Sequence, residues 1–304
     1  MIRQWLSKNE EDKNTYGFSK VEFIEISEID ESILDYLGLN LLEAFRDKKA
    51  LKHAYKDEPK ESLINYLKTY ALPNIEELVG EQNIRKNVRQ GDFGETVAME
   101  LVEKFDNMQI PICKIRWKFN NNRSVFCTDM ISHNFGEKIT DLRYYEIKSR
   151  ITMKKEKVKI NNEDKSHYIG VVAHQGLFND QQSPNTEAIA DYLFRYYFDI
   201  AVHFDNADVT DKAEEFYEIA AKYSDIVKHP DKYNKSYEII IIVEQSLYRE
   251  KILEELNTLP PKLYPLEVKV ILINELRSLY EKAFERSIEQ AVREVYTDEK
   301  RGVL

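Results

Sequence analysis

The chain of 304 residues has only two cysteines, Cys113 and Cys127, which are too few for a framework of disulfide bonds. We expect both to pack in the core of a protein that folds in a reducing compartment, the cytoplasm. The longest apolar runs, near Ile239–Val243 and Val270–Ile273, are far too short to span a bilayer. The first residues lack the apolar stretch of a signal peptide, so we predict neither secretion nor membrane association.

Motifs of several enzyme classes are also missing. The six histidines form no H-E-x-x-H, and two cysteines cannot build a cysteine-rich zinc site. No G-x-S-x-G marks a hydrolase nucleophile. No G-x-x-x-x-G-K-[ST] marks a nucleotide-driven motor, so a function that needs translocation would depend on a partner protein.

The charge of the chain is uneven. The formal net charge is -10, yet residues 111–160 hold twelve Lys and Arg against five acids. Residues 111–160 thus have a net charge of +7 and the rest of the chain a net charge of -17. This distribution favours binding of a polyanion at the basic segment only. A solvated basic loop over residues 150–159 is the alternative interpretation.

The apolar periodicity changes along the chain. Residues 1–88 read as a helical N-terminal region, with helices over Ile33–Phe45 and Leu63–Leu72. Residues 89–304 read as one α/β domain with a central sheet flanked by helices. Its predicted helices are Asp92–Phe105, Ser183–Phe198, Thr210–Val227 and Asn274–Val295, and its predicted strands are Ile112–Phe119, Val125–Ser132, Leu142–Ser149, Tyr168–Ala173, Tyr237–Val243 and Leu266–Ile273. Asn120-Asn121-Asn122 is predicted to join the first two strands as a hairpin.

Two of these strands carry acidic residues in an apolar setting. Glu146 and Lys148 are two residues apart in a strand and therefore point to the same face. Asp129 falls inside another apolar strand, where a charge is costly unless it meets a partner, a cation or solvent. If the strands are neighbours, the carboxylates of Asp129 and Glu146 converge and repel each other.

A divalent cation would relieve that repulsion. Mg²⁺, or Mn²⁺ in its place, suits oxygen ligands and commonly takes one or two protein carboxylates together with a substrate phosphate. Such an ion neutralises the phosphate and lowers the pKa of an attached water. Lys148 would then orient that water or stabilise charge on the phosphorus. The alternative for Glu146 and Lys148 is a cross-strand ion pair on a half-exposed sheet.

Glu95 is the fourth candidate, at the border of the apolar face of its predicted helix. A helix residue at this position can reach a site at the sheet edge. The alternative is a capping box, with Asp92 as the N-cap and Glu95 three residues later.

The E-x-K spacing by itself is weak, because it also occurs at residues 11–13, 58–60, 163–165 and 267–269. The first three lie in polar or proline-broken stretches. Glu267 and Lys269 occupy a predicted strand, but no hairpin with a buried aspartate immediately precedes it. Glu146 and Lys148 have Asp129 one predicted strand upstream and Glu95 on the preceding predicted helix.

The ordered set Gly94-Glu95, Asp129 and Glu146-Ile147-Lys148 resembles the PD-(D/E)xK nuclease superfamily. Together, Gly91-Asp92-Phe93-Gly94-Glu95 and Tyr145-Glu146-Ile147-Lys148 resemble more particularly the HamA family, the nuclease subunits of the Hachiman anti-phage defence system. The resemblance covers residues 85–300 approximately and is strongest over residues 89–150. One departure is that Thr128, not proline, precedes Asp129.

The resemblance implies a restriction-endonuclease-like fold and a Mg²⁺-dependent DNase of little sequence preference. By position, Asp129 and Glu146 would be metal ligands, Lys148 the catalytic lysine and Glu95 an accessory acid and ligand. The implied partners are DNA and HamB, a superfamily 2 helicase. For DNA contacts, the basic segment offers Arg150, Lys154 and Lys155. Alternatives are a catalytically silent subunit that binds DNA and the helicase, and a stand-alone restriction-type endonuclease.

Overall fold

The computed structural model describes residues 1–9, 16–73, 82–118, 128–183, 186–259 and 263–296. These residues form a mixed central sheet of seven strands with helices on both faces, which confirms the predicted α/β class. The strands are β1 (Leu6–Asn9), β2 (Ser19–Glu25), β3 (Met108–Cys113), β4 (Met130–Asn134), β5 (Asp141–Arg150), β6 (Glu156–Ile160), β7 (Glu163–His167), β8 (Asn234–Glu244) and β9 (Leu266–Ile273). Strands β6 and β7 pair apart from the central sheet as a hairpin.

The helices cover both faces of the sheet. They are α1 (Ile2–Trp5), α2 (Glu31–Phe45), α3 (Lys48–Tyr55), α4 (Lys60–Tyr66), α5 (Gln82–Leu101), α6 (Ile169–Gln181), α7 (Ala188–Asp205), α8 (Thr210–Lys228), α9 (Lys251–Asn257) and α10 (Leu276–Tyr296). Two π-helical turns, Leu67–Ala71 and Val102–Asp106, extend α4 and α5. Short 3₁₀ turns lie at Lys114–Trp117, Pro230–Lys232 and Gln245–Leu247.

The central sheet has the strand order β1-β2-β9-β8-β5-β4-β3. Strands β2, β9, β8 and β5 are parallel neighbours, whereas β1, β4 and β3 pair antiparallel towards the two edges. Parallel strands in the middle of a sheet are buried on both faces, so they read as continuous β-branched runs. Ile239–Val243 in β8 is such a run, and its residues alternate between two separate hydrophobic cores.

The N-terminal region contributes strands as well as helices. Helix α2 matches the prediction over Ile33–Phe45, and α4 with its π-helical turn matches Leu63–Leu72. Strands β1 and β2 were not predicted. Strand β2 pairs in parallel with β9, so strands from both sides of the predicted boundary at residue 88 share one sheet.

Most predictions for residues 89–304 agree with the structure, and two are wrong. The predicted strand Ile112–Phe119 overlaps only the end of β3, because the chain forms a 3₁₀ turn over Lys114–Trp117. Helices α5, α8 and α10 and strands β5, β8 and β9 lie where they were expected. The predicted strand Tyr168–Ala173 is instead the start of helix α6, because a short apolar run fits a buried helix as well as a strand. The predicted turn at Asn120–Asn122, the first part of the strand from Val125 and the helix start at Pro184 lie outside the described residues.

The second E-x-K pair in a central-sheet strand, Glu267 and Lys269, belongs to a buried ion cluster. Lys269 is 1% exposed, and its Nζ lies 2.6 Å from Glu238 Oε1 and 3.2 Å from Glu267 Oε1. It also bonds to Asp106, which follows α5. Arg143 reaches Glu238 Oε2 at 3.0 Å. Lys269, with Arg143, therefore neutralises carboxylates that are buried within the sheet.

Candidate active site

Strand β5 holds Glu146 and Lys148 between β4 and β8. The two side chains share a face, as predicted, and Lys148 Nζ donates a hydrogen bond to Glu146 Oε1. Glu146 is 7% exposed. The contact lies within one strand and is largely buried, so the alternative of a cross-strand surface pair is wrong.

Asp129 immediately precedes β4 rather than lying inside a strand. Its backbone N–H donates to the carbonyl oxygen of Tyr145 at 3.2 Å, which joins it to β5. Its side chain accepts from the Ile147 N–H at Oδ2, 2.8 Å away, and from Lys114 Nζ at Oδ1, 2.6 Å away. These three contacts hold the carboxylate beside the strand that carries Glu146.

Glu95 lies well inside helix α5, which includes residues from Gln82 onward. Asp92 is therefore an interior helical residue, and the capping-box alternative is wrong. Asp92 instead forms a buried ion pair with Lys118. Glu95 is half-buried, and its Oε2 atom is fully buried without a hydrogen-bond partner among the described residues.

One open cavity of about 700 Å³ brings the four predicted residues together. Its lining comes from α5, the 3₁₀ turn after β3, the residues before β4, strand β5 and helix α6. The charged side chains of this lining are Glu95, Lys114, Asp129, Glu146, Lys148, Arg150 and Asp180.

Two of these residues, Lys114 and Asp180, were not predicted as part of the site. Lys114 lies in the apolar run Ile112–Phe119, so the reasoning applied to Asp129, a charge in an apolar segment, would have found it. Asp180 is at the end of α6 and accepts a hydrogen bond from Thr128 Oγ1 at 3.3 Å. The apolar run at the start of α6 also fits a strand, and no local sequence pattern distinguishes Asp180 from other acidic residues.

Two glycines permit the close packing around the cavity. A Cβ at Gly94 would lie 2.8 Å from Ser149 Cβ, so α5 contacts β5 at a distance that only glycine allows. A Cβ at Gly176 would lie 3.0 Å from Glu146 Oε1, so α6 closes over the Glu146 carboxylate. Larger side chains at these positions would push the helices away from the acidic residues.

We predict that Gly94→Ala lowers the free energy of unfolding by about 1–3 kcal/mol, because the added methyl group overpacks the contact with Ser149. Gly91→Ala, in the same helix, meets no atom within 4 Å and should stabilise the protein by up to about 1 kcal/mol. Urea denaturation of both variants measures the difference. Equal shifts would contradict the close packing of α5 on β5.

The carboxylates of the cavity act on one another. Burial is the main cause that raises the pKa of Glu95 and of Glu146, and the Asp129 charge raises both further. Burial lowers the pKa of Lys148, but Glu146 and Asp129 outweigh it, so this ammonium group stays charged. A divalent cation near these carboxylates would favour their ionised forms.

The oxygen donors of Glu95, Asp129 and Glu146 fit a hard cation such as Mg²⁺, and the unpartnered Glu95 Oε2 offers a free ligand atom. However, the described residues contain no ready-made group of three or more His, Cys, Asp or Glu side chains with metal-binding geometry. Two lysines hold oxygen atoms of Asp129 and Glu146. A metal would therefore have to compete with these ammonium groups.

The three residues suggested for DNA binding differ in their contacts. Arg150 lines the cavity and forms a two-point ion pair with Glu156, at 2.7 and 3.1 Å. Lys155 pairs with Glu255 at 2.7 Å. Lys154 is exposed, and within the described ranges no acidic side chain forms an ion pair with it. Of the three, Lys154 is the most available to a phosphate group.

Comparison with known proteins identifies the family. In the described part of the chain, none of the helices combines the length and apolar character needed to cross a membrane. No curated protein matches the sequence. A family model described as HamA matches residues 1–287, which is nearly the whole chain and includes the N-terminal region. The chain therefore belongs to the HamA family, which supports a role in Hachiman anti-phage defence.

Proposed function

We propose that this protein is a metal-dependent DNA nuclease that hydrolyses phosphodiester bonds with little sequence preference. The observation that carries the proposal is the shared cavity of Glu95, Asp129, Glu146 and Lys148, which come from separate parts of the chain. Carboxylates that converge beside a half-buried lysine suit phosphodiester hydrolysis with a divalent cation.

Asp129 and Glu146 would hold the cation, with Glu95 as an additional ligand. Mg²⁺, or Mn²⁺ in its place, would supply a Lewis acid for the phosphate and lower the pKa of water. Lys148 lies on the same face of β5 as Glu146, so its charged ammonium group can neutralise the phosphate oxygens or orient the attacking water. The bond from water to phosphorus forms as the bond to one ester oxygen breaks.

A helicase partner fits the absence of a motor motif in this sequence. We propose that HamB, a superfamily 2 helicase, moves along DNA with ATP and controls the nuclease within a complex. Lys154, with Arg150 and Lys155 where their acidic partners release them, would contact the DNA backbone.

A catalytically silent regulatory subunit is the second candidate. It is favoured by the Asp129 carboxylate, because both of its oxygens already accept hydrogen bonds from the protein. In that case the subunit would bind DNA and the helicase without cleaving DNA.

Cleavage of supercoiled plasmid distinguishes the two candidates. We expect nicking and degradation in Mg²⁺ or Mn²⁺ and none in EDTA, measured with the isolated chain and with helicase and ATP. Binding of DNA and helicase without metal-dependent cleavage in either assay would support the regulatory subunit. Discrete fragments from the isolated chain would instead indicate a restriction-type endonuclease.

A further inference from the structure

Lys114 is the most deeply placed cation of the cavity. It is the first residue of the 3₁₀ turn that follows β3, and its side chain is 8% exposed. Its Nζ lies 2.6 Å from Asp129 Oδ1, and the Asp129 side chain is equally buried. An ammonium group this close to a buried carboxylate partly replaces the water that both groups lost on folding.

The Lys114 contact occupies an oxygen that a metal would need. Asp129 Oδ2 accepts from the Ile147 N–H, at 2.8 Å, a donor fixed in the backbone of β5, whereas Oδ1 accepts from a lysine side chain, which has rotatable bonds. The backbone N–H of Asp129 also donates to Tyr145 O in β5, which fixes the position of this residue beside the strand.

The charge of Lys114 acts beyond Asp129. It lowers the pKa values of Glu95 and Glu146, against the larger rise that burial causes. It acts in the same direction on Asp180, across the cavity. One ammonium group thus offsets part of the negative charge of the four acids, which is what a bound divalent cation would do more strongly.

We propose that Lys114 is a built-in competitor of the divalent cation, which must take Asp129 Oδ1 from the ammonium group in order to bind. The inference rests on the proposed metal-dependent nuclease. Lys148 likewise contacts a proposed ligand, Glu146, but it has a proposed role in the reaction, whereas Lys114 has none and can be replaced without removing a proposed catalytic group. Competition keeps the cation affinity low, and a phosphate group that attracts the displaced ammonium would raise it.

The chain provides a matched control. Lys118 forms an ion pair with Asp92 whose side chains are both 3% exposed, only four residues from Lys114. Neither Lys118 nor Asp92 lines the cavity. Replacing Lys118 therefore removes a similarly buried ion pair without uncovering an oxygen of a proposed metal ligand. Because the Lys118 charge also lowers the pKa of Glu95, against the larger rise that burial causes, this control includes a loss of nearby positive charge.

Mn²⁺ affinity of the full-length protein tests the proposal, with free Mn²⁺ measured by electron paramagnetic resonance. Lys114→Met and Lys114→Gln should each bind Mn²⁺ at least about tenfold more tightly than the wild type, because the ammonium group that competes for Asp129 Oδ1 is gone. Lys118→Met should stay within about threefold of the wild type. A folded Lys114 variant with equal or weaker Mn²⁺ affinity would overturn the proposal.

Thermal melting is a second readout that remains useful if a variant is unstable. In EDTA, Lys114→Met and Lys118→Met should both melt below the wild type, because each leaves a buried carboxylate unpaired. Mg²⁺ should restore the melting temperature of Lys114→Met but not that of Lys118→Met. Equal responses to Mg²⁺ would reject the competition.

The two proposals can fail separately. Tighter Mn²⁺ binding by Lys114→Met in a protein that never cleaves DNA would keep the competition and reject the nuclease. Metal-dependent cleavage with Mn²⁺ affinity that is independent of Lys114 would do the reverse.

Discussion

Glu146→Gln is expected to slow plasmid cleavage in Mg²⁺ by at least about a hundredfold, the scale on which loss of one electrostatic group affects a reaction of this kind. The amide keeps the size of the side chain but removes the negative charge that would hold the cation. Lys148→Met should have an effect of similar size, since it removes the ammonium group proposed to neutralise the phosphate oxygens or to orient the attacking water.

The hairpin of β6 and β7 provides a matched control for this variant. Glu163 and Lys165 in β7 have the same E-x-K spacing and form an ion pair at 2.7 Å, but their side chains are 67% and 60% exposed. Glu163→Gln should therefore cleave plasmid like the wild type. Wild-type rates for Glu146→Gln or Lys148→Met would remove the proposed mechanism, whereas loss of cleavage by Glu163→Gln would indicate a general effect of charge.

Lys269→Met is expected to cause the largest loss of stability, about 3–5 kcal/mol in the free energy of unfolding. The Lys269 ammonium lies against Asp106, Glu238 and Glu267, and Glu238 is fully buried. Methionine fills a similar volume, so the loss reports the carboxylates left without their cation. Urea denaturation measures it, with Lys165→Met as the exposed control that should match the wild type.

The loss of stability in Lys269→Met should depend on pH. Burial raises the pKa of Glu238 from 4.5 to about 7, and Lys269 is the main opposing cause. When folding raises the pKa of a carboxyl group, the folded protein loses stability as pH rises from the unfolded pKa to the folded pKa of that group. Removing Lys269 raises the folded pKa of Glu238 further, so the variant keeps losing stability above about pH 7, where the wild type levels off. The stability deficit should therefore grow as pH rises above about 7. A deficit independent of pH would show that lost packing, not charge, causes the effect.

Local patterns determined the elements that carry the candidate site. The alternation of Tyr144 to Lys148 predicts a strand with Glu146 and Lys148 on one face, because side chains of a strand alternate whatever the rest of the fold. Periodicity likewise predicted the helix of Glu95 and the buried strands β8 and β9. The order of these segments was enough to suggest a family, and the family model agrees with it.

Other features depended on contacts between distant segments. The place of β2 beside β9 follows from pairing across some 250 residues, which no local pattern reveals. The run at Tyr168–Ala173 is apolar in either form, and it is helical where α6 packs on the sheet and brings Gly176 against Glu146. The helix of Glu95 also begins well before Asp92, which removes the capping alternative.

The sequence by itself thus determined which residues have side chains that can bind a metal or a phosphate. It also determined which face of a helix or strand each one occupies, since both properties follow from residue type and local backbone geometry. Only the tertiary structure decided which charges meet. Glu267 and Lys269 share the spacing of Glu146 and Lys148, yet the first pair neutralises a buried cluster and the second lines a cavity. Burial and neighbouring charge, which depend on the whole fold, separate the two.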